Sequence, residues 1–462
     1  MSQHVAVIQI KHATGWHAPV HREGRLATVG CRGQRWGVHD RSPLSLLATL
    51  RLGPLVLAQS CGALNDNLVK NAMVVLALFT LGVGGAGLSA LAGALFIAPY
   101  IVLSATAGKL ADRMSKPRLV VIYKIAEVVL MVAAAAAFLT ESIPALLAVL
   151  LGLGVQAALF GPVKYGILPE LLPPEDLIAG NGLVEATTFL SIVAGTVIGG
   201  ALILLHHGTA AVSLAGMAVA VIGLLAAMRI PARAPADPDL AVSANVVAET
   251  VLILRAARAI PPIWWSLLGI SWFWTMGATL MTEFPIIARD TLHADGTVLT
   301  LLLTVFAVGV GAGSIGCAQV LRGTPSPRLV PWAALGISVF CADFALAAWS
   351  GADAGLASAG AVARDPHGWR MLLDLFGLAA CGGVFSVPLY AIIQHEADAR
   401  SRSRMIGANN VMNALFMVLG AAAAAGLAAI GLDAPSVLLV AAGANLLVAA
   451  WIWRVVRRGS AH

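Results

Sequence analysis

With 462 residues, 59% hydrophobic and only 11% charged side chains, and a mean hydropathy of +0.87, the chain is too apolar to be a soluble globule. Its formal charge of +6 comes with no groove-reading motif, so nucleic acid is not an expected partner. The five cysteines (Cys31, Cys61, Cys317, Cys341, Cys381) are scattered without a Cys-x-x-Cys spacing, which excludes a disulfide framework and a metal site and leaves them as small core residues.

Residues 1–51 are basic, His-containing and aperiodic, and their longest apolar piece, Val5 to Ile10, is too short for a signal-peptide core. They read as a disordered cytosolic tail. From Leu52 onward twelve apolar runs follow, at 52–80, 86–108, 118–139, 143–167, 179–205, 209–229, 263–288, 297–321, 329–350, 371–393, 404–430 and 434–456. Most reach the roughly 20 residues that a helix needs to cross about 30 Å of hydrocarbon. The 47 glycines suit close helix packing, and the runs are too long for barrel strands. The expected fold is an all-α integral membrane protein with twelve transmembrane helices.

If the first run leaves the cytosol, one side collects Lys109, Arg113, Lys116, Arg118, Arg229, Arg233, Arg255, Arg258, Arg322, Arg328, Arg400, Arg402, Arg404, Arg454, Arg457 and Arg458. The other holds Arg289, Arg364 and Arg370. The positive-inside rule then puts both termini in the cytosol. The connection 230–262, opening with Pro231, Pro235 and Pro238, is the longest between runs and divides the chain into six-helix halves at 52–229 and 263–456, with a short tail at 457–462. Its later part, Ala241 to Ile260, has the composition of an amphipathic helix on the membrane surface. An internal repeat supports the division. Pro162-Val-Lys-Tyr165 and Ile178-Ala-Gly-Asn-Gly182 of the first half answer Pro388-Leu-Tyr390 and Ile406-Gly-Ala-Asn-Asn410 of the second.

Charge inside hydrocarbon costs roughly 2.5–3.5 kcal/mol per group on insertion scales, so intramembrane ions are functional candidates. In the first run Asp66 stands about 20 Å from the start by helical rise, near mid-bilayer, beside Asn67 and with Lys70 at i+4 in position to pair. Lys124 and Glu127 share a face of the third run. These ions, with Glu185 of the fifth run, suit a head group that carries both a phosphate and an amine. The alternative for each pair is a clamp between helices. Gly108, Asp112, Arg113, Lys164 and Asn181 fall at the cytosolic ends and read as a gate, with Lys164 or Arg113 supplying the counter-charge of Asp112, or with Asp112 facing a helix N-terminus. Asp343 and Glu283 lack partners nearby in sequence. Burial disfavours a charged carboxylate, so both are candidates for carrying a proton. Pro99, Pro162, Pro285 and Pro388 are expected to kink their helices.

The charged turn Gly108-Lys-Leu-Ala-Asp-Arg-Met-Ser-Lys-Pro-Arg118 resembles the signature between the second and third helices of the major facilitator superfamily, with Ser115 where a second Gly is usual. Leu64-Asn-Asp-Asn67, the run Lys-Tyr-Gly-Ile-Leu-Pro-Glu-Leu at 164–171, Gly180-Asn-Gly-Leu-Val-Glu185 and the run Val-Pro-Leu-Tyr-Ala-Ile-Ile-Gln at 387–394 resemble one branch of it, the bacterial lysophospholipid transporters, which also occur fused to an acyltransferase. The resemblance implies two parallel six-helix halves and movement of lysophospholipids, chiefly lysophosphatidylethanolamine, from the outer to the inner leaflet of the cytoplasmic membrane by alternating access. Asp66 and Asn67 match the polar pair of that family's first helix. No cofactor and no catalysis are expected, and the chain is expected to act as a monomer among membrane lipids. With the sequence read to His462 no fused acyltransferase domain is expected, and a separate acyltransferase is a candidate partner. The alternative is a proton-coupled exporter of drugs or small metabolites. Against it, Thr196 in Gly195-Thr-Val-Ile-Gly-Gly200 replaces the proline usual in such antiporters. A membrane-embedded enzyme has less support, because the His206-His207 pair lies in an expected outer loop with no carboxylate nearby.

Overall fold

The computed structural model describes residues 43–459 apart from 83–85, 242, 244 and 352–354. Twelve helices of 20 residues or more run through the described residues: α1 Gly53–Val75, α2 Ala86–Arg113, α3 Lys116–Leu139, α4 Ile143–Gly166, α5 Leu177–Ile203, α6 Gly208–Ala227, α7 Pro261–Ile286, α8 Gly296–Leu321, α9 Val330–Ser350, α10 Pro366–Glu396, α11 Arg402–Ala429 and α12 Ala434–Gly459. Ten of them carry an apolar window long enough to cross a bilayer. The two that fall short, α1 and α7, have the length but not the uninterrupted apolar content. Asn65, Asp66, Asn67 and Lys70 break α1, and four tryptophans with Ser266, Ser271 and Thr275 break α7.

Prolines open several helices, where the missing N–H costs nothing: Pro54, Pro117, Pro144, Pro261 and Pro331 all lie in a first turn. Side-chain caps start others. Asp295 accepts the Thr297 N–H at 2.9 Å ahead of α8, and Asp365 accepts the His367 N–H at 2.7 Å ahead of α10.

The two halves repeat one another in detail. Helices α1 and α7, first in each half, both end in a single π-turn, Leu76–Thr80 and Ile287–Thr291. Helices α4 and α10, fourth in each half, both carry an internal proline, Pro162 and Pro388. Within halves α1 packs on α5 and α6, and α10 packs on α8 and α9. Between halves the main contacts are α2 with α11 and α5 with α8. Helix α5 approaches α1 so closely that a Cβ at Gly195 would lie 2.3 Å from the Leu64 carbonyl oxygen, and one at Gly199 would lie 2.4 Å from that of Leu68. The glycines of the Gly195 to Gly200 stretch therefore serve a helix crossing, as small residues do where the hydrophobic effect cannot drive helices together.

The linker after α6 runs across one end of the bundle and includes a helix, Val246–Arg258, capped by Asn245, which accepts the Ala248 N–H at 3.0 Å. Of the expected disordered tail, residues 1–42 lie outside the described residues. Its last part is ordered: Pro43–Ala48 is a short 3-10 helix with Leu46 buried, and it packs against α1, α5 and α8.

Candidate functional site

A cavity of about 610 Å³ lies between the halves. Its charged lining is Asp66, Lys70, Lys124 and Lys164, all from the first half. Among the described residues the second half offers no charge to the lining. It contributes Trp274, Tyr390, Asn410 and Asn413, together with apolar Met281, Leu303 and Met417. The lining continues through Ser89 and Gly93 near the start of α2, Thr196 in the later part of α5 and Pro285 at the end of α7. The cavity thus reaches toward the end of the bundle opposite to Asp112.

Helix α1 sets the polar side. Asn65, Asp66, Asn67 and Lys70 follow within two turns, so they fan across both the cavity face and the packed face of the helix. Asn65 points inward and donates to Glu127 Oε1 at 3.0 Å and to the Gly216 carbonyl at 3.2 Å. Asn67 accepts from Lys70 Nζ at 3.1 Å and donates to the Ala63 carbonyl at 2.8 Å. The expected Asp66–Lys70 pair is therefore replaced by an Asn67–Lys70 contact, which leaves Asp66 Oδ1 buried with no hydrogen-bond partner. Asp66 lines the cavity, and a carboxylate there without an ion-pair partner is an energetic cost that a cationic ligand would offset.

Lys124 and Glu127 form an ion pair of 2.5 Å with both side chains fully buried. Gln156 Nε2 donates to Glu127 Oε2 at 3.4 Å. The lysine fits because α1 and α6 carry glycines beside it: a Cβ at Gly62 would lie 2.8 Å from Lys124 Nζ. Lys124 reaches the cavity wall, whereas Glu127 lies behind it. Of the two readings for this pair, Glu127 takes that of the clamp. Replacing it by Ala strands a buried ammonium and should cost about 3–5 kcal/mol, whereas the double change Lys124→Met with Glu127→Leu should recover most of that loss. Thermal unfolding of the purified variants checks this. Equal stability of the single variant and the wild type would refute the clamp.

Glu185, expected among the binding residues, does not reach the lining. It is fully buried and accepts from Tyr165 Oη at 3.0 Å and from Ser386 Oγ at 3.5 Å. Tyr165 in turn stacks on Tyr390 across the boundary between halves, with ring centroids 4.1 Å apart and planes 7° from parallel. Trp274 Nε1 donates to Tyr390 Oη at 3.1 Å. This stacked pair is the floor of the cavity. Lys164, placed by its sequence position in the gate, instead lines the cavity with its Nζ 4.7 Å from the Tyr165 ring centroid. Side chains on a helix lean toward its N-terminus. A lysine near the end of α4 therefore reaches back toward the middle of the bundle.

Below the floor the halves are locked together. Asp112, fully buried at the end of α2, accepts the backbone N–H groups of Ser403 (3.0 Å) and Arg404 (3.2 Å) and the Arg404 Nε–H (3.2 Å). A carboxylate on the first turn of α11 meets unpaired N–H groups and the positive end of the helix dipole. The expected counter-charges, Lys164 and Arg113, play no part in this contact. Arg113 is exposed and Lys164 is in the cavity, and Arg404 takes their place. The linker joins in, its Asp237 N–H donating to the Asp112 carbonyl at 2.8 Å and its carboxylate accepting from Arg404 at 3.5 Å. Gly108 permits the approach, since a Cβ there would lie 2.8 Å from the Ser403 carbonyl oxygen. Asn181 and Gln394 exchange amide hydrogen bonds across the same boundary, at 2.7 and 3.0 Å.

Sequence reasoning named neither Arg404, Gln394, Asp237 nor the tyrosine pair as parts of the site. Gln394 and Tyr390 stand in the repeat copy of the α4 block, and that symmetry is the signal that would have paired them with Tyr165. Asp343, which has no partner nearby in sequence, is paired with Arg370 of α10, 27 positions on, whose Nε donates to it at 3.2 Å.

The Major Facilitator Superfamily description matches residues 55–363. The lysophospholipid transporter LplT of Serratia proteamaculans is 32% identical over 328 residues, 69% of this chain and 72% of its own length. The lysophospholipid transporter LplT of Escherichia fergusonii is 29% identical over 375 residues, covering 78% of this chain and 85% of the relative. Among solved structures, the human organic anion transporter MFSD10 aligns over 87% of this chain and 99% of its own, with a TM-score of 0.69 at 14% identity. The fucose:proton symporter FucP of E. coli aligns over 89% and 98%, with a TM-score of 0.64 at 14% identity. At such identities these structures speak for the fold, and the sequence relatives speak for the family. The chain belongs to the major facilitator superfamily, in the branch of the bacterial lysophospholipid transporters.

Proposed function

We propose that this chain carries lysophospholipids, chiefly lysophosphatidylethanolamine, from the outer to the inner leaflet of the bacterial cytoplasmic membrane, and that it does so without catalysing a reaction. The observation that carries this reading is the division of the cavity into a charged and an uncharged side. Three lysines and one unpaired carboxylate stand on the first half, opposite aromatic, amide and apolar groups on the second. Lys70, Lys124 and Lys164 suit a phosphate, Asp66 suits the amine, and the apolar surface suits the start of an acyl chain. The names of the sequence relatives point to the same substrate class.

With both termini in the cytosol, the lock around Asp112 faces the cytosol and the cavity faces outward. Rocking of the halves would part α2 from α11 and the two stacked tyrosines, and so move the head group past the floor. Gly108, Asp112, Asn181 and their partners Arg404 and Gln394 are the gate in this scheme. The two halves, 52–229 and 263–456, are its moving bodies. Substrate would pass to a separate acyltransferase, and one copy of the chain suffices for the cycle.

The test is uptake of labelled lysophosphatidylethanolamine by spheroplasts expressing the chain, with and without a protonophore. Uptake that survives the protonophore is the expected result. With the protein verified in the membrane, absence of uptake would reject the lipid substrate in favour of a proton-coupled exporter of small metabolites.

A further inference from the structure

The linker helix Val246–Arg258 has two faces. On one, Glu249, Ile253 and Ala257 are buried against the ends of α2, α7 and α11, with the Glu249 carboxylate paired to Lys109 of α2. On the other, Val247 is 74% exposed, Leu252 55% and Val251 41%, and the exposed Arg255 continues the stripe at i+4 from Val251. Arg258 is exposed one turn further on. The helix therefore presents apolar groups and cations outward and turns its only carboxylate inward.

What covers that face follows from how the chain continues. Only Ala259 and Ile260 separate this helix from Pro261, where α7 begins. Trp264 and Trp265 lie in the first turns of α7, at the level where such rings mark the boundary between membrane and water. The Arg258 guanidinium stands 6.0 Å from the Trp264 ring centroid, so the end of the linker helix shares that level. A helix at head-group depth, with aliphatic groups and cations facing away from the protein, fits a lipid surface of negative charge.

We propose that the linker helix lies on the anionic surface of the cytosolic leaflet, with Val247, Val251 and Leu252 among the upper acyl carbons and Arg255 and Arg258 on lipid phosphates. This seating places Glu249 against Lys109, one residue from Gly108, and so ties lipid charge to the closed state of the gate. The proposal rests on the orientation argued above only for which leaflet it names.

The experiment uses the full chain, with its native cysteines replaced, carrying Val251→Cys labelled with an environment-sensitive fluorophore. It is reconstituted in phosphatidylcholine vesicles with or without about 30% phosphatidylglycerol. In the anionic vesicles, brominated phospholipid should quench the probe at least about twofold more than in the neutral ones, as for a helix sunk roughly 5–10 Å into the interface, and aqueous iodide should quench it less. Changing Arg255 and Arg258 to Gln should erase the difference between vesicles. Strong iodide quenching in both vesicle types would overturn the proposal, and so would lipid quenching that ignores the phosphatidylglycerol or the double change. No substrate is transported in this measurement, so its failure is distinct from a failure of the lysophospholipid reading.

Discussion

Changing Asp66 to Ala should lower lysophosphatidylethanolamine uptake at least about tenfold while leaving the protein inserted and at least as stable as the wild type. The two effects separate because of how the carboxylate is placed. Its Oδ1 is buried and unpartnered, so no hydrogen bond of that oxygen is lost when it goes, and the cost of desolvating a charge is relieved. A hydrogen bond between charged groups contributes about 1.5–3 kcal/mol, so loss of the contact to the amine should lower uptake roughly 10- to 150-fold. Asp66→Asn is the sharper variant, because it keeps the shape and removes only the charge. Its effect should be smaller on a lysophospholipid without an amine, since the three lysines of the cavity lining, proposed for the phosphate, remain. Uptake at the wild-type rate in Asp66→Ala would remove Asp66 from the site.

The helices were legible because hydrocarbon imposes one long apolar run per crossing, and that signal survives any later packing. It was weakest at α1 and α7, whose polar and aromatic residues interrupt it, and there the site itself explains the interruption: Asp66, Lys70 and Trp274 all line the cavity. The polar residues of α1 were likewise legible as candidates, since nothing else accounts for their cost in that setting. Their partners were not. Asn67 and Asp66 compete for the same lysine, and spacing along a helix favours Asp66 by charge whereas the rotamers favour Asn67. Depth counted from the end of a helix misplaced Lys164, because rise per residue fixes the Cα and not the direction of a long side chain. The lock residue Arg404 is separated from Asp112 by 292 positions. No local pattern points across such a distance, and only the pairing of α2 with α11 brings the two together.

That pairing makes Gly108→Val the substitution with the largest expected effect on the transport cycle. A Cβ at this position would lie 2.8 Å from the Ser403 carbonyl oxygen and 2.9 Å from the Arg404 Cα, and both are backbone atoms on the first turn of α11 that cannot rotate away. The two helices must separate, and Gly407 repeats the constraint from the other side, with its own Cβ position 2.5 Å from the Ser104 carbonyl. Separation also pulls the Ser403 and Arg404 N–H groups from Asp112, so the steric penalty carries an electrostatic one with it. Overpacking alone costs about 1–3 kcal/mol, enough to shift a two-state equilibrium by roughly 5- to 150-fold. The strain exists only while this end is closed, so it should act on the balance of states and not on folding. A cysteine at Ser89, on the cavity lining at the far end of α2, reports the state. With the native cysteines replaced, Ser89→Cys should react with a membrane-impermeant thiol reagent added outside, and Gly108→Val should slow that reaction about tenfold or more while uptake stops. Gly108→Ala should fall between the two. Unchanged labelling together with normal uptake would mean that the α2–α11 contact does not govern which side of the cavity is open.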